Sequence, residues 1–179
     1  MVEAGRNITI NRAPVLTLWP AVVAERLGFD RAEALTLGKA VAGLNAHAKG
    51  VRLGIYEPTP ATVKKEREKL ARGKQLTVNL LHRAVPVVQT PDGLRALAKE
   101  KPINPATVER YLSSKFGPSL DAARRAMADL AAALPQRELA VQAYALYEKF
   151  RPEIPAGVSG WGAVGVLDLS AIERLAKKS

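Results

Sequence analysis

The segment from Trp19 to Asn45, WPAVVAERLGFDRAEALTLGKAVAGLN, constrains the fold of this chain more than any other. Apolar residues recur at helical spacing on both sides of Gly28, and Asp30 with Glu33 has the spacing of a capping box, so two short helices joined at Gly28 are expected. The second helix continues through Leu35, Ala40, Val41 and Leu44. Gly38 and Gly43 each cost about 1 kcal/mol relative to alanine in a helix, a cost best explained by close approach of a neighbouring helix. The pattern therefore favours a buried helical hairpin with Leu35 facing inward.

Other helix starts are marked by capping residues set before proline. Thr59-Pro60, Thr90-Pro91 and Asn104-Pro105 each predict a helix, and Ser170 with Glu173 repeats the capping-box spacing. Alternation predicts short strands at Val51, Leu53 and Ile55 and at Leu76, Val78 and Leu80; with Ile8 and Ile10 and with Val85, Val87 and Val88 these form a small antiparallel sheet.

Towards the C-terminus, Leu120, Ala123, Met127, Leu130 and Leu134 make one apolar stripe, and Leu139, Ala143, Leu146 and Phe150 make another. Pro135, Gln136 and Arg137 join the two as a helical hairpin. A Gly/Pro-rich loop follows, RPEIPAGVSGWGAVG, with Trp161 as its apolar anchor, and a last helix spans Ala171 to Lys178. The expected fold is mainly α with a small antiparallel β-sheet, an α+β arrangement. Residues 1–117 form a helical domain with the sheet, and residues 118–179 form the hairpin and tail, packed on it as one unit.

At 179 residues the chain is long enough to bury a substantial core. It holds no cysteine, which removes disulfide frameworks, thiolate metal sites and thiol nucleophiles together. The opening MVEAGRNITIN has no apolar core of a signal peptide, and no stretch approaches the roughly 18 apolar residues of a membrane span, so a cytoplasmic location with no membrane partner is expected.

Motifs for catalysis or cofactors are weak. Gly160, Gly162 and Gly165 satisfy a G-x-G-x-x-G string, yet Pro155 and Ser159 precede it and the acidic residue expected some 20 positions on is missing, so a plain turn is the better reading. His47 and His82 lack the spacing of a helical metal pair, and Gly157-Val158-Ser159-Gly160 is not a nucleophile elbow. The expectation is a non-enzymatic protein with no cofactor and no metal.

Charge points elsewhere. Against 17 Asp and Glu stand 27 Lys and Arg, a net of +10, and such a field favours phosphate-rich or otherwise acidic partners. It is most concentrated in KKEREKLARGK, where Lys64, Lys65, Arg67, Lys69, Arg72 and Lys74 face only two acids. Glu68 can pair with Lys64 and Arg72 at i,i+4 on a helix, and the surplus remains for phosphates. Aromatic residues make up 5% of the chain, too few for the stacking platforms of many single-strand binders, so DNA is expected over RNA.

Two stretches also carry a motif. Ala24 on the first helix, Gly28 at the turn between Leu27 and Phe29, and Ala34 and Leu37 on the second helix fall at the landmark positions of a helix-turn-helix. Over about twenty residues this segment resembles the DNA-binding unit of bacterial repressors; the resemblance implies a second helix that buries Ala34 and Leu37 and exposes Arg31 and Lys39. Asn104-Pro-Ala-Thr-Val-Glu-Arg110 is similar to the start of such a recognition helix, which implies that Asn104, Thr107 and Arg110 meet phosphate or bases while Val108, Tyr111 and Leu112 pack. The resulting expectation is duplex DNA binding through the Lys64–Lys74 helix and a helix-turn-helix-like element. The alternative is an interaction protein whose Ala/Leu-rich helices form a homo-oligomer or dock an acidic protein.

Overall fold

The computed structural model describes residues 7–52, 76–98, 101–152 and 164–178. Among them β1 (Asn7–Asn11) leads into α1 (Arg12–Arg26) and α2 (Arg31–Arg52), followed by four strands, β2 (Leu76–Leu80), β3 (Arg83–Thr90), β4 (Gly93–Ala98) and β5 (Lys101–Pro102). Three helices come next, α3 (Pro105–Phe116), α4 (Leu120–Ala132) and α5 (Gln136–Phe150), and the chain closes with β6 (Val164–Asp168) and α6 (Leu169–Lys178). The fold is mainly helical with small antiparallel sheets, an α+β arrangement.

Helix α1 is the centre. Every residue from Pro14 to Ala24 is buried, the mark of a helix surrounded by other elements rather than laid on a surface. It starts seven residues before Trp19 and carries Pro20 in its interior, a cost of about 3 kcal/mol that only dense packing offsets. Its packing partners are α2, α3, α4 and α5. The turn to α2 uses Gly28 at φ +116°, a backbone conformation that side-chain-bearing residues rarely adopt, and Phe29 N donates back to Ala24 O at 3.1 Å. The capping box forms as expected, with Glu33 N donating to Asp30 Oδ1 at 2.8 Å and Asp30 N donating to Glu33 Oε1 at 3.1 Å.

Leu35 is buried, as the hairpin expectation requires, and Gly38 is where α2 meets α1. A Cβ at Gly38 would collide with the Thr17 carbonyl oxygen and stand 3.0 Å from Ala21 N. Gly43 departs from the expectation, being exposed with nothing within 4 Å of an added Cβ.

The strands differ from the expected single sheet. β2, β3, β4 and β5 form an antiparallel meander, whereas β1 pairs separately with β6, Ile8 opposite Leu167 and Ile10 opposite Gly165. The strand expected from Val51 is helical at that residue, because α2 runs on to Arg52; Leu53 and Ile55 lie outside the described residues.

Thr90-Pro91 does not start a helix. Thr90-Pro91-Asp92-Gly93 is the turn of the β3–β4 hairpin, in which Asp92 N donates to Thr90 Oγ1 and Gly93 takes φ +120°. Thr-Pro-Asp-Gly suits a β-turn as well as a helix start, and the alternating inward residues Leu94 and Ala96 decide for the strand. At the last helix the cap is Asp168, whose Oδ1 accepts from Ser170 N at 2.9 Å, rather than Ser170 itself. The starts expected at Thr59-Pro60 and the anchor Trp161 lie outside the described residues.

The two C-terminal stripes are buried as read, yet α4 and α5 pack on α1 more than on each other, and α6 lies on α4. Side chains fasten that arrangement. Arg26 caps the end of α4 by donating to Ala131 O and Leu134 O, while Gln136 Nε2 donates to Arg26 O at 2.8 Å.

A backbone junction ties the meander to α2, beside the bond from Arg83 Nη2 of β3 to Asn45 Oδ1 at 3.0 Å. Where β4 outruns β5, its amides turn to α2: Leu94 N donates to Glu33 Oε2 at 2.9 Å and Ala96 N to Thr36 Oγ1 at 3.0 Å. The first turn of α2 thus stands in for a neighbouring strand. Glu33→Ala should leave the partly buried Leu94 amide unpaired, break the capping bond from Asp30 N as well, and lower stability by about 1–3 kcal/mol in urea unfolding, whereas Glu33→Gln, which keeps an accepting oxygen, should lose less than half of that. Equal losses in the two variants would mean that the carboxylate charge, rather than an accepting oxygen at this position, carries the contribution.

Candidate nucleic-acid interface

The residues singled out by sequence are distributed unevenly. Lys64, Lys65, Arg67, Lys69, Arg72 and Lys74 lie outside the described residues. Asn104, Thr107 and Arg110 are together on α3, all three exposed. What precedes α3 is the β4–β5 hairpin, so the stretch resembling a recognition helix follows strands rather than a first helix.

The local sequence explains how α3 stands. Asn104 caps it, its side-chain oxygen accepting from Ala106 N at 2.9 Å, and Pro105 fills the first turn. Val108, Leu112 and Phe116, at i, i+4 and i+8, are buried and fix the inner face. The same periodicity turns Ala106, Thr107, Arg110, Ser113 and Ser114 outward, and all five are exposed. Lys101 before the helix and Lys115 in its last turn are exposed too. Neither serine nor these lysines were singled out from sequence, although spacing of three, four and seven residues from Thr107 and Arg110 marks the serines as sharing that face.

No carboxylate stands among those outward residues. The acid nearest in sequence, Glu109, is held by Arg124 of α4 in a forked pair with bonds of 2.8 and 3.4 Å. Its charge is therefore balanced within the protein, and Arg110 keeps its guanidinium for the outside, with only a 3.5 Å contact from Nη2 to Thr107 Oγ1. Apart from Arg110 and the terminal Lys115, the outward side chains of α3 are no larger than threonine, so a bulky polyanion can come close to the helix.

The opening hairpin presents less. Ala24, Ala34 and Leu37 are fully buried, and Leu27 and Phe29 are partly buried against the core. Arg31 is exposed and donates to Glu25 at 2.9 Å. Lys39, which the motif would expose, is half-buried: its Nζ lies 4.1 Å from the centroid of the Tyr111 ring on α3. Burial lowers the Lys39 pKa and raises that of Tyr111. Leu35, where a reading helix would present a polar group, is buried as well.

The other described candidates for chemistry stand in structural settings. His82 is exposed in the β2–β3 turn at φ +63° and meets Tyr144 with ring centroids 6.2 Å apart. Tyr147 is buried against Phe150, and burial pushes its phenol up to about 12, so it stays neutral near pH 7. Gly165, last of the G-x-G-x-x-G string, is a buried residue of β6 paired with Ile10, while Gly160 and Gly162 lie outside the described residues.

No protein-family model matches the chain, and no curated protein or solved structure matches it either.

Proposed function

We propose that this protein binds nucleic acid, duplex DNA in the first instance, through the exposed face of α3. The observation that carries the reading is the composition of that face: Thr107, Arg110, Ser113 and Ser114 are exposed without a carboxylate among them, and Lys101 and Lys115 flank them. Hydroxyls and cations together are what phosphate oxygens accept from, and the net charge of +10 adds a field that draws a polyanion in. Lys64 to Lys74, with four net positive charges, is the second contact the sequence supplies. The large exposed hydrophobics among the described residues, Val141 and Val166, stand on separate elements, so we place this reading ahead of an apolar homo-oligomer.

The test uses full-length chain freed of bound contaminants at high salt, with a fluorescent random-sequence duplex followed by anisotropy. Binding should appear at low salt and weaken linearly in log–log form, at about −0.9 per phosphate neutralised. Arg110→Glu should weaken it strongly while circular dichroism stays unchanged, because an exposed substitution alters stability by about 0.5 kcal/mol or less. Replacing Lys64, Lys65 and Lys69 by glutamine should weaken binding alike across sequences. An affinity indifferent to salt, or no binding at all, overturns the proposal.

A further inference from the structure

The outward side chains of α3 also bear on what kind of recognition that face can perform. The base contacts that discriminate most strongly offer two matched hydrogen bonds, such as Arg to guanine or Asn and Gln to adenine, whereas an alanine or a threonine methyl can only touch the methyl of thymine. Asn104 cannot supply such a pair without giving up its cap, since its side-chain oxygen accepts from Ala106 N at 2.9 Å. Ala106 offers no polar atom, and a serine or threonine hydroxyl accepts or donates to several bases alike. Arg110 is left as the single two-pronged donor among the outward residues of α3.

The first turn of α3 is closed to an anion as well. Ala106 N donates to the Asn104 side chain, and Thr107 N and Val108 N donate to Asn104 O. The donors that remain free are single-point groups, namely the hydroxyls of Thr107, Ser113 and Ser114 and the flanking ammonium groups of Lys101 and Lys115. Such groups suit phosphodiester oxygens, which repeat identically whatever the bases.

We infer that α3 meets a duplex chiefly through its phosphate backbone, with Arg110 set on phosphate, so that this face adds no strong preference for sequence. The inference rests on the nucleic-acid reading above. Arg110 then acts as a charge rather than as a fork, which separates it from a base-reading arginine.

The experiment has two arms on the full-length chain. In the first, repeated selection from a random duplex library should enrich no motif, and unlabelled duplexes of unrelated sequence should displace a labelled one equally. In the second, Arg110→Lys should bind as the parent does, while Arg110→Ala should reduce the salt slope by about 1. An enriched motif whose preference disappears in Arg110→Lys would overturn the inference while leaving duplex binding in place. No duplex binding at low salt would remove the underlying reading, and the inference with it.

Discussion

Leu35→Lys is expected to unfold the protein or to remove most of its stability. The position is 4% exposed on α2, so a lysine there forces an unpaired charge among apolar neighbours and discards the leucine packing, a combined cost of several kcal/mol against the 5–15 kcal/mol or so that holds an ordinary domain together. Gly38→Val should act in the same direction for a different reason. The colliding atoms are backbone, Thr17 O and Ala21 N, and cannot rotate away, so α1 and α2 would have to separate. Gly43→Ala is the internal control: with open space around it, the variant should gain up to about 1 kcal/mol from helix propensity alone. Urea unfolding of the three variants decides the matter. Parental stability in Leu35→Lys would contradict the burial of α2 and restore that helix as a candidate for groove entry.

Those contrasts show what was legible in the sequence. Helices read from capping chemistry plus periodicity formed at Asp30–Glu33 and at Asn104-Pro105, because both signals named the same local structure. Thr90-Pro91 misled because the capping signal alone could not tell a helix start from a turn; the partner strand that decides it is a non-local fact. β6 was hidden for the same reason. Val164 to Asp168 is short and starts in a glycine-rich context, and its identity as a strand depends on β1, which is far away in the chain.

The candidate interface was legible in part. Thr107 and Arg110 share the exposed face of α3 with Ser113 and Ser114, and Asn104 caps that helix; the sequence reading found Asn104, Thr107 and Arg110 but missed the two serines, although helical spacing from Thr107 and Arg110 marks them. Lys39 was not readable in this way. Its charge suggested solvent, but the ring of Tyr111 on a separate helix covers it, and only tertiary packing places that ring. Nor could sequence tell that Glu109 would be neutralised by Arg124, fifteen residues on and in the next helix. That pair matters to the proposal, since an unbalanced carboxylate beside Arg110 would oppose a phosphate.

Trp19→Ala should be the other severe substitution. Trp19 is fully buried at the middle of the central helix, and its indole Nε1 donates to Ala143 O of α5 at 2.8 Å. Its ring meets Phe150 edge-on at 5.3 Å, and Phe150 in turn meets Tyr147 at 6.0 Å, so the indole starts an aromatic series that fixes α5 against α1. Truncation leaves a cavity where the series begins and should cost about 3–5 kcal/mol. Trp19→Phe separates the two contributions. It keeps much of the apolar contact but loses the N–H donor, so the expected cost is smaller by about half, reflecting a hydrogen bond worth about 1 kcal/mol plus imperfect filling. Arg12 supplies a second test just beyond the C-terminal end of α5, where its Nε donates to Pro152 O at 2.9 Å. If α5 docks as a rigid unit, Arg12→Ala should cost less in a Trp19→Ala background than alone, because the helix it fastens is already loosened. Strict additivity would show that the two contacts act independently. A Trp19→Ala protein within about 0.5 kcal/mol of the parent would contradict the placement of α1 at the centre of the fold.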